Sequence, residues 1–316
     1  MKAAIIKKFG NPNVFNIKEV DKPKMGKNQI LIKVFIHGVN PIDWKQRKGN
    51  HKYILGSPFP IILGYDVCGE VVDVGRDVRK FKVGDIVYGV LDNKYGGALA
   101  EFAVGTEKCF NIKPADISIE EAAAFPLVSL TALQALRDKA NLKPGQTVLI
   151  NGASGGVGHV AVQIAKILGA RVIAVSGNTS KEFVQQFNPD RYIDYTAESI
   201  FDLTERVDVV FDVAGSYDFI KCLKVLNPKG IYVNTLPRPK ILLHKLVQLF
   251  TKSKKAKTLL MKHSSSDLEI ISEWINNKKL TVKIDKIFNL DDIVAAHDYA
   301  QKGHSKGKNI VIISRV

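Results

Sequence analysis

Thr147-Val148-Leu149-Ile150-Asn151-Gly152-Ala153-Ser154-Gly155-Gly156-Val157-Gly158 is the stretch whose reading decides the fold. A short apolar run of strand length, Thr147 to Ile150, leads straight into a glycine-rich turn. His159 to Leu168 then carries the spacing of an amphipathic helix. A pyrophosphate can approach backbone N–H groups at a helix N-terminus only where side chains are absent, and the helix dipole adds to the attraction. Gly152 makes the turn, Gly155 or Gly156 admits the phosphates, and Gly158 lets the helix pack on the strand. An ordinary tight strand-to-helix turn uses the same glycines, so the reading depends on the residues downstream of Leu168.

Those residues form a series of strand-length apolar runs alternating with helical segments: Val172 to Val175, a helix from Thr179, Arg191 to Ile193, Val207 to Asp212, a helix after Ser216, and Ile231 to Asn234. This order implies a doubly wound parallel sheet, the Rossmann arrangement, with ligands at the strand C-termini. Gly152, Ala153, Ser154, Gly155, Gly156, Val157 and Gly158 are therefore the candidate dinucleotide cradle. At the end of the second strand an acid would bind the ribose 2′-OH and repel a 2′-phosphate. Here the position reads Ser176-Gly177-Asn178. With no acid present, and with Ser176, Asn178 and Lys181 available as donors or positive charge, NADP(H) is favoured over NAD(H). Tyr195 joins this set, while Val213, Ala214 and Leu236, at the ends of later strands, offer backbone groups to the nicotinamide and its ribose.

Upstream, short β-like runs such as Ile30 to Ile36, Glu70 to Val74 and Ile86 to Val90 are punctuated by Gly and Pro, reading as an irregular barrel. Near Ile119 the pattern turns helical. After a helix near Leu268 to Asn276, a final strand, Asn309 to Ile313, reads as returning to the first domain. The expected organisation is a β-barrel-like domain of residues 1–119 and 267–316 around a dinucleotide-binding domain of residues 120–266. Residues 240–262, apolar and then Lys-rich, read as a helix packed near the active-site cleft.

The formal net charge of +15 is spread over turns and helix faces with one concentration at Lys252, Lys254, Lys255 and Lys257. That is the pattern of a solvated basic surface, and no nucleic-acid recognition motif accompanies it. Cys68, Cys109 and Cys222 are too few and too widely spaced for a disulfide framework or a Cys-rich zinc site. No run approaches the roughly 18 apolar residues of a membrane span, and Met1 to Phe9 reads as a strand rather than a targeting peptide. A cytoplasmic location is expected.

Several motifs occur in order: Gly38-Val39-Asn40-Pro41-Ile42-Asp43, Gly64-Tyr65-Asp66-Val67-Cys68-Gly69, Phe81-Lys82-Val83-Gly84-Asp85, Gly96-Gly97-Ala98-Leu99-Ala100-Glu101-Phe102, Pro126-Leu127-Val128-Ser129-Leu130-Thr131-Ala132, the nucleotide loop, and Gly307-Lys308-Asn309-Ile310-Val311. In this order they resemble the medium-chain dehydrogenase/reductase superfamily, specifically its zinc-free quinone oxidoreductase (ζ-crystallin-like) branch. The resemblance covers essentially the whole chain. It implies a GroES-like irregular β-barrel catalytic domain beside the Rossmann domain, and Lys308 at the cofactor. The zinc-dependent relatives carry Cys near position 40 and His at the second residue of the Gly64 motif. This chain has Asn40 and Tyr65, neither a natural zinc ligand, so no metal is expected.

Without a metal, alcohol oxidation lacks its usual alkoxide stabiliser. Quinones and conjugated carbonyls already spread the incoming charge, and hydride transfer to them needs chiefly positioning, hydrogen-bond donors and a dry pocket. The resemblance implies that Asn40 lies beside nicotinamide and acceptor, with Thr131 close to the cofactor and Trp44 and Tyr53 walling the substrate cleft. Their rings suit a planar acceptor, and the Tyr53 hydroxyl suits hydrogen-bond or proton donation. Asp66 and Glu101 read as structural. The expected activity is NADPH-dependent reduction of a small-molecule quinone or similar electrophile. Reduction of an enone at its C=C bond is the alternative with the same cofactor geometry, and an NADPH-regulated RNA- or protein-binding module is the alternative of another class. A homodimer is expected, with the Ile231 region as the sheet edge that pairs.

Overall fold

The computed structural model describes residues 1–235 and 254–315. The chain divides into two compact units, Met1–Leu127 with His263–Val316, and Val128–Lys262.

In the second unit six strands form one all-parallel sheet in the order Arg191–Asp194, Arg171–Ser176, Thr147–Asn151, Val207–Asp212, Leu226–Asn234, Lys255–Thr258. The central strand carries three consecutive fully buried residues, Val148, Leu149 and Ile150. Continuous apolar runs of this kind mark a sheet covered on both faces. On one face Leu149, Ile173, Val175, Val210, Phe219 and Tyr232 pack together. Asn151, Ser176, Asp194, Asp212 and Asn234 end their strands at one edge, where such folds place ligands.

Gly152 takes φ +81° to turn the chain out of its strand, and helix Gly156–Ile167 begins four residues later. Any side chain at Gly158 would place its Cβ 2.0 Å from the Gly152 carbonyl oxygen, so the close packing of helix on turn demands glycine.

Two expectations are corrected by the sheet. Ile231–Asn234 does not form its edge, because Lys255–Thr258 pairs along it in parallel register. Within 240–262, residues 240–253 lie outside the described ones, and Lys255–Thr258 is strand rather than helix. Ala256 packs onto the sheet's core while Lys255 is exposed.

In the first unit a mixed seven-stranded path runs Ile284–Asn289, Lys308–Ile312, Gln29–Val39, Asp66–Val74, Ile86–Val90, Phe110–Ile112, with Phe102–Thr106 also paired to Gln29–Val39. Phe15–Glu19, Lys2–Ile6 and Ile61–Ile62 form a second, three-stranded sheet. The sheets wrap one apolar core, including Ile30, Ile32, Val34, Leu63, Val67, Val87 and Phe110, without closing into a continuous barrel. Helix Ile119–Ala124 lies so close to the long strand that a Cβ on Gly38 would stand 2.3 Å from the Ala123 carbonyl oxygen. Lys308–Ile312 pairs antiparallel with the strand ending at Val39, bringing residue 308 beside the turn at Asn40. Glu101 accepts the Lys2 N–H at 2.8 Å, a structural contact.

All three cysteines are buried and unpaired. Burial pushes their thiols up, to about 12 for Cys68 and Cys109. Among the described residues no helix is long and apolar enough to cross a membrane.

Candidate functional site

In the first unit the site is built around one carboxylate. Asp66 is fully buried at the start of its strand. Its Oδ2 accepts from Lys308 Nζ at 3.0 Å and from Asn40 Nδ2 at 2.9 Å, and its Oδ1 accepts the backbone N–H of Leu127 at 2.8 Å. Leu127 lies at the N-terminus of helix Pro126–Leu133, where a carboxylate is favoured by the helix dipole. Burial holds the Asp66 carboxyl above its usual pKa, opposed by Lys308 and the Asn40 amide.

Asn40 starts helix Pro41–Arg47 and is likewise buried. Its backbone N–H donates to Asp43 Oδ2 at 2.7 Å. Its amide nitrogen donates to Gly38 O and Asp66, and its Oδ1 accepts from Lys308 at 2.6 Å. Both amide protons are thereby used. Lys308 spends its remaining proton on Val39 O at 3.1 Å. Lys308 was expected at the cofactor. The structure instead buries its ammonium with all three donors committed inside the protein, because the last strand brings residue 308 directly behind Asn40.

Trp44 follows one turn later, half-buried, with Lys45 and Lys48 ammonium groups 5.4 and 5.0 Å from its ring. Tyr53 projects from the short helix Lys52–Leu55 with 91% of its surface exposed, its ring near the Lys52 ammonium. Tyr53 is therefore no part of the packed core.

In the second unit, the N–H groups of Gly152 and Ala153 bond Val175 O, and that of Gly155 bonds Gly152 O. These close the loop on itself. The first N–H groups of a helix lack intrahelical partners, and at the start of this helix Gly156 and Val157 are partly exposed, as is Ser154 before them. Val213 and Ala214 donate their N–H groups to Asn151 O at 3.1 and 3.3 Å, leaving their carbonyls as the groups a cofactor can use. Leu236 lies outside the described residues. Thr131 is buried in helix Pro126–Leu133.

At the next strand end Ser176 is buried and its hydroxyl meets the Tyr192 hydroxyl at 3.1 Å, so this serine serves the turn. Tyr192 also donates to Gly177 O at 2.9 Å. Asn178, Lys181 and Tyr195 are exposed, and the Tyr195 hydroxyl stands 3.2 Å from where a Gly177 Cβ would be. Asp194, at the end of the neighbouring strand, accepts from Thr196 N and Oγ1 at 2.9 and 2.7 Å. Those two bonds hold its carboxyl below the usual range, with smaller help from the Asn178 N–H and Lys181.

Sequence reasoning misses three groups. Asp66 reads as structural, yet it joins Asn40, Lys308 and Leu127. Tyr192 shapes the turn after Ser176 by reaching across from an adjacent strand. Asp212, fully buried, accepts from Asn151 Nδ2 at 2.7 Å, Tyr232 Oη at 2.9 Å and the N–H groups of Ser216 and Tyr217, tying three strand ends together. Only the first has a signal, its place in the Gly64 motif.

The residues at the zinc-ligand positions do not fit a metal. Asn40 Oδ1 already accepts from a lysine ammonium, and the Tyr65 hydroxyl donates to Lys94 O at 2.7 Å while accepting from Gln46 at 2.6 Å. Burial pushes the Tyr65 phenol further up, away from an anionic ligand. Among the described residues no group of three or more His, Cys, Asp or Glu is arranged to hold a metal ion.

The alcohol dehydrogenase GroES-like domain matches residues 26–114, and the zinc-binding dehydrogenase domain matches residues 188–311. The chain is 37% identical over 303 residues to the chloroplast envelope quinone oxidoreductase homolog of Arabidopsis thaliana, covering 93% of this chain and 92% of that protein. It is 37% identical over 239 residues to the NADPH-dependent alkenal/one oxidoreductase of the same plant, covering 73% and 61%. The solved quinone oxidoreductase from Coxiella burnetii superposes with a TM-score of 0.91 at 32% identity over 99% of both chains. The chain belongs to the medium-chain dehydrogenase/reductase superfamily, in its quinone oxidoreductase branch.

Proposed function

We propose that the protein is an NADPH-dependent, zinc-independent oxidoreductase that passes hydride from the nicotinamide to a quinone or a similar conjugated carbonyl. The observation that carries the reading is the strand end at Ser176-Gly177-Asn178. It holds no acid of its own and is flanked by exposed Asn178, Lys181 and Tyr195, a set suited to a 2′-phosphate. The relatives' names, quinone oxidoreductase and NADPH-dependent alkenal/one oxidoreductase, support both the cofactor and the acceptor class.

In this reading Ser154, Gly156 and Val157 receive the pyrophosphate, the Val213 and Ala214 carbonyls meet the nicotinamide end, and Thr131 lies near the cofactor. When bound, NADPH supplies the hydride. The chain's own residues orient and exclude water. Asn40, clamped by Asp66 and Lys308, fixes the turn that opens helix Pro41–Arg47 in one geometry. Trp44 and Tyr53 wall the acceptor, the exposed Tyr53 hydroxyl being placed to hydrogen-bond it. Lys308 acts through Asn40 rather than on a phosphate. Residues 1–119 and 267–316 are assigned to the barrel-like catalytic domain, and residues 120–266 to the dinucleotide-binding domain. A cytoplasmic homodimer completes the proposal, its pairing edge now Lys255–Thr258 rather than Ile231–Asn234.

Oxidation of NADPH and NADH is to be followed with benzoquinone, phenanthrenequinone, an alkenal and a simple aldehyde, each with and without EDTA. Quinone turnover that prefers NADPH and ignores EDTA is expected. Turnover with the alkenal alone moves the acceptor class to enones. Loss of turnover in EDTA contradicts the zinc-free reading, and tight NADPH binding with no turnover favours a binding module.

A further inference from the structure

Helix Pro41–Arg47 packs on helix Ile293–Gln301, and buried polar atoms without partners gather at that contact. Arg47 is fully buried. Its Nη2 donates to Gln301 Oε1 at 2.7 Å, but Nε and Nη1 find no acceptor in the protein. His297 lies one turn before Gln301 on the same helix face. It too is fully buried, its ring edge-on to Phe15 at 4.7 Å between centroids, and neither ring nitrogen has a hydrogen-bond partner. One turn before Arg47, Asp43 stands with Oδ2 3.5 Å from His37 Nε2. Asp43 Oδ1 and His37 Nε2 both lack partners, and both residues are fully buried. Arg47 and His37 are near enough to His297 to lower its proton affinity further, burial being the first cause.

The kind of unmet group identifies the ligand. Arg47 Nε and Nη1 can only donate, and Asp43 Oδ1 is a carboxyl oxygen that accepts. His37 Nδ1 faces Asp66 O at 2.9 Å, and because a carbonyl only accepts, Nδ1 carries a proton and donates there. Neutral His297 offers one of each. An anion would satisfy the donors and leave the acceptors bare, and a cation would do the reverse. Water both donates and accepts, and internal waters characteristically join a few otherwise unsatisfied buried groups.

We infer that Arg47, His297, His37 and Asp43 form a binding site for ordered internal water, set directly behind the turn that carries Asn40. The site reaches that turn through Asp43, whose Oδ2 holds the Asn40 N–H at 2.7 Å. It does not depend on the enzymatic reading, and its readouts are independent of turnover.

The test is a high-resolution crystal structure of the full chain grown with bromide as the halide. Water density within hydrogen-bonding distance of Arg47 Nη1 and of Asp43 or His297, with no anomalous peak there, is the expected result. A bromide peak at Arg47 makes the site an anion site and overturns the inference. A direct Arg47–Asp43 ion pair with no solvent between them does the same. In solution, His297→Gln, which keeps a donor and an acceptor, should melt close to the parent protein, and His297→Leu several degrees lower. A Leu variant that melts at or above the parent would show that His297 needs no polar partner.

Discussion

Every donor of Asn40 and Lys308 is engaged within the protein, whereas the side chains of Asn178, Lys181 and Tyr195 stand in solvent. Asn40, Asp66 and Lys308 bury a carboxylate, an ammonium and an amide together and satisfy them with one another. Asn178, Lys181 and Tyr195 form no such closed set. The first arrangement costs desolvation and returns a single geometry. The second leaves charge available to a ligand at small cost in stability. One region is fixed by its own hydrogen bonds, and the other leaves its polar groups to solvent, which suits the anion proposed to bind there.

The largest effect should come from opening the closed network. Lys308→Met strands the Asp66 carboxylate in the interior, and breaking a buried pair from one side costs about 3–5 kcal/mol. With roughly 2–4 °C per kcal/mol for a chain of this order of size, the melting temperature should fall by about 10 °C. The neutral double variant Asp66→Asn/Lys308→Met should recover most of that loss while kcat stays low, since Asn40 Oδ1 then loses its Lys308 donor. Full recovery of kcat in the double variant would reduce the network to a stability device.

Gly158→Ala tests the cradle between the two regimes. Its Cβ meets the Gly152 carbonyl, and overpacking of this kind costs about 1–3 kcal/mol. NADPH affinity measured by titration calorimetry should drop by tenfold or more, and unchanged affinity would mean that the loop shifts without loss.

On the open side, Lys181→Ala should raise KM for NADPH by about tenfold, the scale of one charge-assisted contact. KM for NADH should not move. Equal changes for both cofactors would place Lys181 away from the 2′-phosphate.

The smallest effect is one of pH and belongs again to the closed side. Burial, with Arg47 and His37 nearby, holds the His297 imidazole well below its ordinary pKa. A folded pKa below the unfolded value means that the unfolded chain binds the extra proton first. Stability is therefore lost as pH falls below the unfolded histidine pKa of about 6.5, by at most about 1.4 kcal/mol per pH unit. Melting temperatures of the parent between pH 7 and pH 5 should decline more steeply than those of His297→Gln, and parallel declines would assign the slope to other groups.

The strand, glycine turn and helix from Thr147 to Leu168 were legible because their determinants are local: the residues that make the turn are the residues that form the cradle. The alternation of later strands and helices was legible for the same reason. The Asn40 network was not. Residues 40 and 308 are brought together by strand pairing across nearly the whole chain, and nothing in Gly307-Lys308-Asn309 distinguishes a lysine bound for the interior from one bound for a phosphate. The partner of Ser176 is not legible for a similar reason, since Tyr192 reaches its hydroxyl from the adjacent strand. Lys255-Ala256-Lys257-Thr258 does not read as the edge strand because two of its four residues are lysines and only Ala256 is apolar.

The burial of Cys68, Cys109 and Cys222 bears on the chemistry of the proposed acceptors. Quinones and conjugated carbonyls alkylate thiolates by addition, and the thiolate rather than the thiol is the attacking form. With no thiol at the surface, and with Cys68 and Cys109 pushed up to about 12, the folded chain offers these compounds no nucleophilic sulfur. It is chemically deaf to the electrophiles it is proposed to reduce, and loses that immunity only when it unfolds.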